Sequence, residues 1–337
     1  MKGGIDLKVF DIHSDLLTDI AWRRSRGETN VFDRIHYPRL KQGGIDSMIC
    51  VIWVEPAFRN NPLARFQEVL QHAIDDLRTS KHANICLTTK DMNLTNSDTI
   101  NLFLGIEGMT FIEEWLKDFS DDNVGSAFKH LHQQQFRHAI FVWNEWNAFA
   151  SGTGAIDTPP KRGITHFGEL AVQQLNAMNW ILDVSHLDEA SFWDMYRLTE
   201  QPLMASHSNA YTLCTHERNL KDEQIKAIAA RDGLIGLNAF NGFIDKSNPT
   251  LESFIDHAVY IAELVGPEYI AFGFDFIDYL APYDIGASFT GSTLGLENVT
   301  KVPTLLDAME KRGFTPKEIK GIRFHNAFQF MKKHIKN

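Results

Sequence analysis

Short apolar or β-branched runs alternate with helix-forming stretches along nearly the whole chain, and this alternation limits the fold more than any other feature. The runs lie at 7–12, 47–54, 100–106, 138–142, 180–184, 203–205, 234–237 and 269–272. Runs of this length and composition read as strands. The clearest helical pattern follows Asn248-Pro249, read as an N-cap with proline at the first helical position. Its apolar residues Leu251, Phe254, Ile255, Ala258, Ile261, Ala262 and Val265 draw one buried stripe, and Gly266 reads as the stop signal. Thr315-Pro316-Lys317-Glu318 has the residue types of a capping box opening the last helix. Strands and helices in this alternation predict an α/β fold of the (β/α)8 TIM-like barrel type. A doubly wound sheet suits the chain less well, because no Gly-x-Gly-x-x-Gly turn follows an early strand. Without an internal repeat or a splitting linker, one domain spanning 1–337 is expected, with long functional loops at 143–165 and 275–300.

Charge and cysteine usage narrow the partners. Thirty-three basic residues against 43 acidic ones give a formal charge of −10, which argues against nucleic acid, since phosphate binding needs a basic face. Cys50, Cys86 and Cys214 form an odd set with no pairing logic, as expected of buried small hydrophobes in a reducing compartment. The start, Met1-Lys2-Gly3-Gly4-Ile5-Asp6, lacks the apolar region of a signal peptide, and the longest apolar run, 48–54, is too short to cross a membrane. The basic Lys332, Lys333 and Lys336 read as a solvated helix end. A soluble cytoplasmic enzyme with no membrane partner is the expectation.

Barrel enzymes build their sites at the C-terminal ends of the strands. At those ends this chain places His13-Ser14-Asp15, Gly105-Ile106-Glu107-Gly108, Asp183-Val184-Ser185-His186, Ser206-His207-Ser208-Asn209 and Gly273-Phe274-Asp275. Taken singly, each has an ordinary explanation: a turn carboxylate for Glu107, packed rim histidines for His186 and His207, a cap for Asp275. Their coincidence at one end of one barrel points instead to metal. Imidazole and carboxylate ligands suit Zn²⁺ and neighbouring divalent ions. One carboxylate can bridge two ions about 3.5–4 Å apart, and water bound there can reach a pKa of about 7. A further carboxylate can then carry a proton to a leaving group.

These residues resemble the membrane (renal) dipeptidase family, a branch of the amidohydrolase superfamily, from Asp11 to about Asn326. The most specific stretch is Ser206-His207-Ser208-Asn209 followed by His216-Glu217-Arg218-Asn219-Leu220 and Asp222. Asp11-Ile12-His13-Ser14-Asp15-Leu16, Gly233-Leu234-Ile235-Gly236-Leu237 and Gly273-Phe274-Asp275-Phe276 add to it. The resemblance implies two zinc ions, one on His13 and Asp15, the other on His186 and His207, with Glu107 bridging and a hydroxide between the metals. It implies Arg218 as the grip on a dipeptide's free carboxylate and Asp275 as acid/base. Implied too are hydrolysis of dipeptides, C-terminal D-residues included, and a homodimer.

Three departures from the family pattern stand out. Many relatives carry a Thr-His pair after the fourth strand, whose His polarises the scissile carbonyl; this chain reads Val142-Trp143-Asn144-Glu145-Trp146-Asn147. Trp143 or Asn144 is then expected to act as a weaker oxyanion donor, or Trp143 merely to pack in the barrel mouth. Asp275-Phe276-Ile277-Asp278 replaces Asp-Phe-Asp-Gly, and Phe240 stands where several relatives have tyrosine. Two other readings keep the barrel: an amidohydrolase acting on another small carboxylate-bearing amide, and an inactive metal-binding barrel.

Overall fold

The computed structural model describes residues 8–116, 120–154, 162–287 and 290–335. Nine strands follow in chain order: β1 (Val9–Ser14), β2 (Ile45–Trp53), β3 (Ala83–Ile85), β4 (Ile100–Glu107), β5 (Phe136–Ile140), β6 (Ile181–Asp183), β7 (Met204–Ala205), β8 (Leu234–Leu237) and β9 (Ile270–Phe272). All pairings between them are parallel. The sheet runs β2-β1-β9-β8-β7-β6-β5-β4-β3, and a further β2–β4 pairing closes eight of the strands into a barrel. The ninth, β3, lies outside the ring. It pairs with Ile100–Leu102 of β4, ahead of Leu104 where pairing with β5 begins. Its three residues are half-buried and show no apolar run, so the sequence pattern passes over it.

Strand edges moved in ways that matter for the site. The first strand, expected at 7–12, reaches Ser14, so His13 is inside it; Leu7 lies outside the described residues. The strand expected to begin at 138 begins at Phe136. Arg137 disguises it: a polar residue in a buried strand, it donates its Nη1 protons to the carbonyls of His132 and Phe136. One helix start is also corrected. The helix Leu251–Val265 is capped by Thr250 and not by Asn248, because Thr250 Oγ1 accepts from Ser253 N while Ser253 Oγ accepts from Thr250 N. Pro249 therefore precedes the cap. The stop at Gly266 (φ 114°) and the Thr315–Glu318 capping box are as expected.

Two apolar layers hold the frame. Between sheet and outer helices, Leu17, Val69, Phe111, Phe128, Val172 and Phe254 are fully buried. Inside the ring, Phe10, Ile49, Phe103, Ile181 and Met204 pack together with Phe324, Phe330 and Met331 of the C-terminal helical segment. Phe324 packs against Phe10 with its ring tilted, centroids 6.1 Å apart, and Arg323 donates to the Lys8 carbonyl, so this segment closes the N-terminal end of the barrel. The opposite end is left open. Among the described residues, no helix is long and apolar enough to cross a membrane.

Candidate metal centre and binding cavity

The open end gathers every metal-type residue singled out above. His13 is the penultimate residue of β1, and Asp15 follows as the residue preceding the helix Leu16–Arg24. Glu107 ends β4, with Gly108 (φ 81°) turning the chain away behind it. His186, His207 and Asp275 lie two or three residues beyond β6, β7 and β9. His186 (φ 69°) and Asp275 (φ 56°) occupy the left-handed region that side-chain-bearing residues seldom enter. Conformations of this kind cost on the order of 1–3 kcal/mol and persist where the surroundings enforce them.

Glu107 lies at the centre. Its Oε2 is 3.1 Å from His13 Nε2 and its Oε1 is 2.8 Å from His186 Nε2, with His207 Nε2 3.9 Å from the same Oε1. His13 Nε2 is also 3.7 Å from Asp15 Oδ2 and 4.0 Å from Asp275 Oδ1. His186 Nε2 and His207 Nε2 converge to 2.9 Å. Buried polar atoms are normally paired. Here, among the described residues, His13 Nε2, Asp15 Oδ1 and Glu107 Oε2 have no hydrogen-bond partner. An imidazole and carboxylate set with unpaired, converging atoms suits divalent cations.

Electrostatics agree with that donor chemistry. Burial, reinforced by the charges of Asp15 and Asp275, pushes Glu107 up to about 7 despite the opposing pull of His13. Burial, followed by the Asp15 charge, raises Asp275 to about 6. Burial drives His186 and His207 well below the ordinary histidine range, with the positive charges of Arg218 and His13 adding to it. His13 moves the other way: burial opposes its charge, but Glu107 and Asp15 together hold it well above the usual value. Carboxylates crowded at one buried point disfavour each other's charge, and a cation removes that conflict.

The supporting contacts are where the sequence reading fell short. Asn144 Oδ1 lies 2.9 Å from His186 Nδ1, so its oxygen holds that ring and only its amide nitrogen remains for the donor role expected of it. Asn238 Nδ2 donates to Asp275 Oδ2 at 3.0 Å. Asp183, buried between His138 Nε2 (2.7 Å) and the backbone N–H groups of Ser185 and Ser206, ties the ends of β6 and β7 together. Asp11 Oδ1 accepts from the amides of His13 and Phe274, joining β1 to β9. Asn238 directly follows β8, a position that marks it in the sequence, but a lone amide there does not distinguish a carboxylate-positioning residue from an ordinary loop residue. Gly236 and Gly273 leave room for the Ser206 carbonyl, which a Cβ at those positions would meet at 1.9 and 1.6 Å.

Above the cluster opens a cavity of about 700 Å³. Asp15, Glu107, His186 and Asp275 reach it from below, and Trp143, Asn144 and Arg218 from the sides. Arg218 is 5% exposed. Among the described residues it forms no ion pair: Nη2 donates to the His207 carbonyl at 3.3 Å, and Nε has no partner. Burial lowers it to about 10, with Glu107 and Asp275 opposing the shift. Trp143 packs against Trp53 at 5.2 Å and His186 at 6.1 Å.

The model of the family described as "Membrane dipeptidase (Peptidase family M19)" matches residues 5–337. The chain belongs to this family. Membership makes this M19 protein a peptide-bond hydrolase of the metallopeptidase class, whose members use divalent metal ions. It is 28% identical over 282 residues to the "Uncharacterized protein in pqqA 5'region" of Klebsiella pneumoniae, covering 80% of this chain and 93% of that one. To "Dipeptidase aclJ" of Aspergillus oryzae it is 24% identical over 315 residues, 89% of this chain and 70% of the other. A metallopeptidase from Rhodobacter sphaeroides, solved with a phosphinate mimic of the dipeptide L-Ala-D-Ala, shares the fold at TM-score 0.79 and 22% identity, covering 98% and 99% of the two chains.

Proposed function

We propose that this M19 protein hydrolyses dipeptides with a free C-terminal carboxylate, including those ending in a D-residue, at a pair of zinc ions. The observation that carries the reading is the two-sided Glu107 carboxylate beneath a cavity into which a buried Arg218 faces, with no ion pair among the described residues. His13 and Asp15 would hold one ion and His186 and His207 the other, with Glu107 shared. Bound there, divalent ions supply Lewis acidity and lower the pKa of an attacking water.

The chain's own groups do the rest. Arg218 binds the substrate carboxylate through parallel hydrogen bonds, which fixes the scissile amide over Glu107. Asp275, steadied at Oδ2 by Asn238, keeps Oδ1 turned toward His13. Facing the cluster and the cavity, it is placed to accept a proton and hand it to the leaving amine. Asn144 fixes His186, and Trp143 covers the reacting centre from the side. A relative solved with an L-Ala-D-Ala mimic supports the D-residue reading. We further propose that residues 1–337 act as one domain in the cytoplasm, supported by three unpaired buried cysteines, and that the protein forms a homodimer.

The test compares Arg218→Ala with the parent on Gly-D-Ala and on its C-terminal amide. Hydrogen bonds to charged groups contribute about 1.5–3 kcal/mol each, so kcat/KM for the free dipeptide should fall by about 10–1,000-fold. The amide, which has no carboxylate, should lose much less. An equal loss on both, in a folded and metal-loaded variant, would show that Arg218 does not read the substrate.

A further inference from the structure

The cavity is far larger than two small residues need, and its walls differ in character around the barrel. Following the ring from β7, which carries Arg218 in its loop, β2 is four strands away in either direction. The end of β2 is thus diametrically across the mouth from the guanidinium. Trp53 closes that strand and is 3% exposed. Around it, Trp143 from the loop after β5 and Ile277 and Leu280 from the loop after β9 form one apolar cluster. These four residues line the cavity.

Among the described residues the cluster bears no unbalanced charge. Arg59 places its guanidinium 5.2 Å from the Trp143 ring, but Glu145 pairs with it, and Glu145 is also held by Thr110 at 3.2 Å. A substrate anchored by its carboxylate at Arg218, with its amide over Glu107, must therefore extend its N-terminal residue toward an uncharged aromatic and aliphatic wall. Trp143 is half-buried, so a ligand ring can lie against it and remove its remaining surface from water.

We propose that this wall selects dipeptides with a large apolar or aromatic N-terminal side chain, with Trp143 and Trp53 as the specificity-determining residues. The inference rests on the dipeptidase reading above and adds to it the identity of the N-terminal residue.

The test is a panel of X-D-Ala dipeptides, with X as Gly, Leu, Phe, Asp or Lys, on protein loaded with Zn²⁺. Phe and Leu should exceed Gly in kcat/KM by at least about 10-fold, as a well-filled apolar pocket discriminates. Asp and Lys should be cleaved no better than Gly. In Trp143→Ala the ratio of Phe to Gly should fall several-fold, and in Trp143→Phe, which keeps an aromatic face, it should fall less. Equal rates across the panel, or a preference for Gly, Asp or Lys, would overturn this inference while leaving the dipeptidase reading intact. Cleavage of no dipeptide by metal-loaded protein would overturn both.

Discussion

Ser206 Oγ lies 2.8 Å from His207 Nδ1, and the same hydroxyl is 3.3 Å from His13 Nδ1. A neutral imidazole offering Nε2 to a metal carries its proton on Nδ1. One serine oxygen, with two lone pairs, can thus accept from both rings and turn both Nε2 atoms toward Glu107. Outer contacts of this kind are worth about 10–100-fold in metal affinity. Ser206→Ala should weaken divalent metal binding by that order, measured by competition with a chromogenic chelator, while the thermal midpoint of the chelated protein changes little. Unchanged metal affinity would remove Ser206 from this role.

Glu107 faces His13 with one oxygen and His186 with the other, so its loss should affect both halves of the centre. Elemental analysis of purified parent should find close to two divalent ions per chain, on the precedent of two-metal sites. Glu107→Ala should lose part of both, not one ion cleanly. Full loading in that variant would end the shared-ligand assignment.

Asp275 accepts from Asn238, has Oδ1 4.0 Å from His13 Nε2 and also reaches the cavity. Asp275→Asn should retain most of its metal and lower kcat by about 10²–10⁴-fold, the range of general acid–base catalysis. If kcat survives with metals in place, another group carries the proton.

A second network predicts an acid-sensitive fold. Buried Asp19 accepts from His36 Nε2 at 2.8 Å, Arg23 Nε at 2.9 Å and Tyr283 OH at 2.5 Å. Burial alone would raise its pKa, but these contacts, His36 foremost, hold it below the ordinary value of 3.8. The folded protein therefore binds this proton less readily than the unfolded chain. The stability it contributes is complete well above pH 3.8 and is lost as pH falls through the lower folded value. Breaking a buried pair costs about 3–5 kcal/mol, so Asp19→Asn should lower the melting temperature clearly at pH 7. The difference from the parent should narrow below pH 4, followed by thermal melts across pH.

Much of the site was legible because the barrel's geometry is repetitive. Once His13, Glu107, His186, His207 and Asp275 each fall at the end of a strand, the topology alone brings them to one mouth. Strand alternation, helix stops and the Thr315 cap are local, short-range properties, and local pattern determines them. The edges that went astray did so where a polar residue such as Arg137 sits in a buried strand, or where two caps compete, as at Asn248 and Thr250. In both cases the decision lies in a side-chain hydrogen bond that periodicity does not encode.

What the chain order by itself determined was which residue types stand at which strand ends, and hence the chemistry available. Only the tertiary structure decided how those groups face each other: that Glu107 divides its oxygens between His13 and His186, that Asn144 turns its oxygen to His186, and that Arg218 is buried with no ion pair among the described residues. The wall of Trp53, Trp143, Ile277 and Leu280 belongs to the same category. Its members come from the end of β2 and from two loops, separated by up to 227 positions, Trp53 to Leu280. Such contacts arise from ring closure, which joins β2 to β4 and β1 to β9, and a one-dimensional pattern carries no record of which side chains meet across a closed ring.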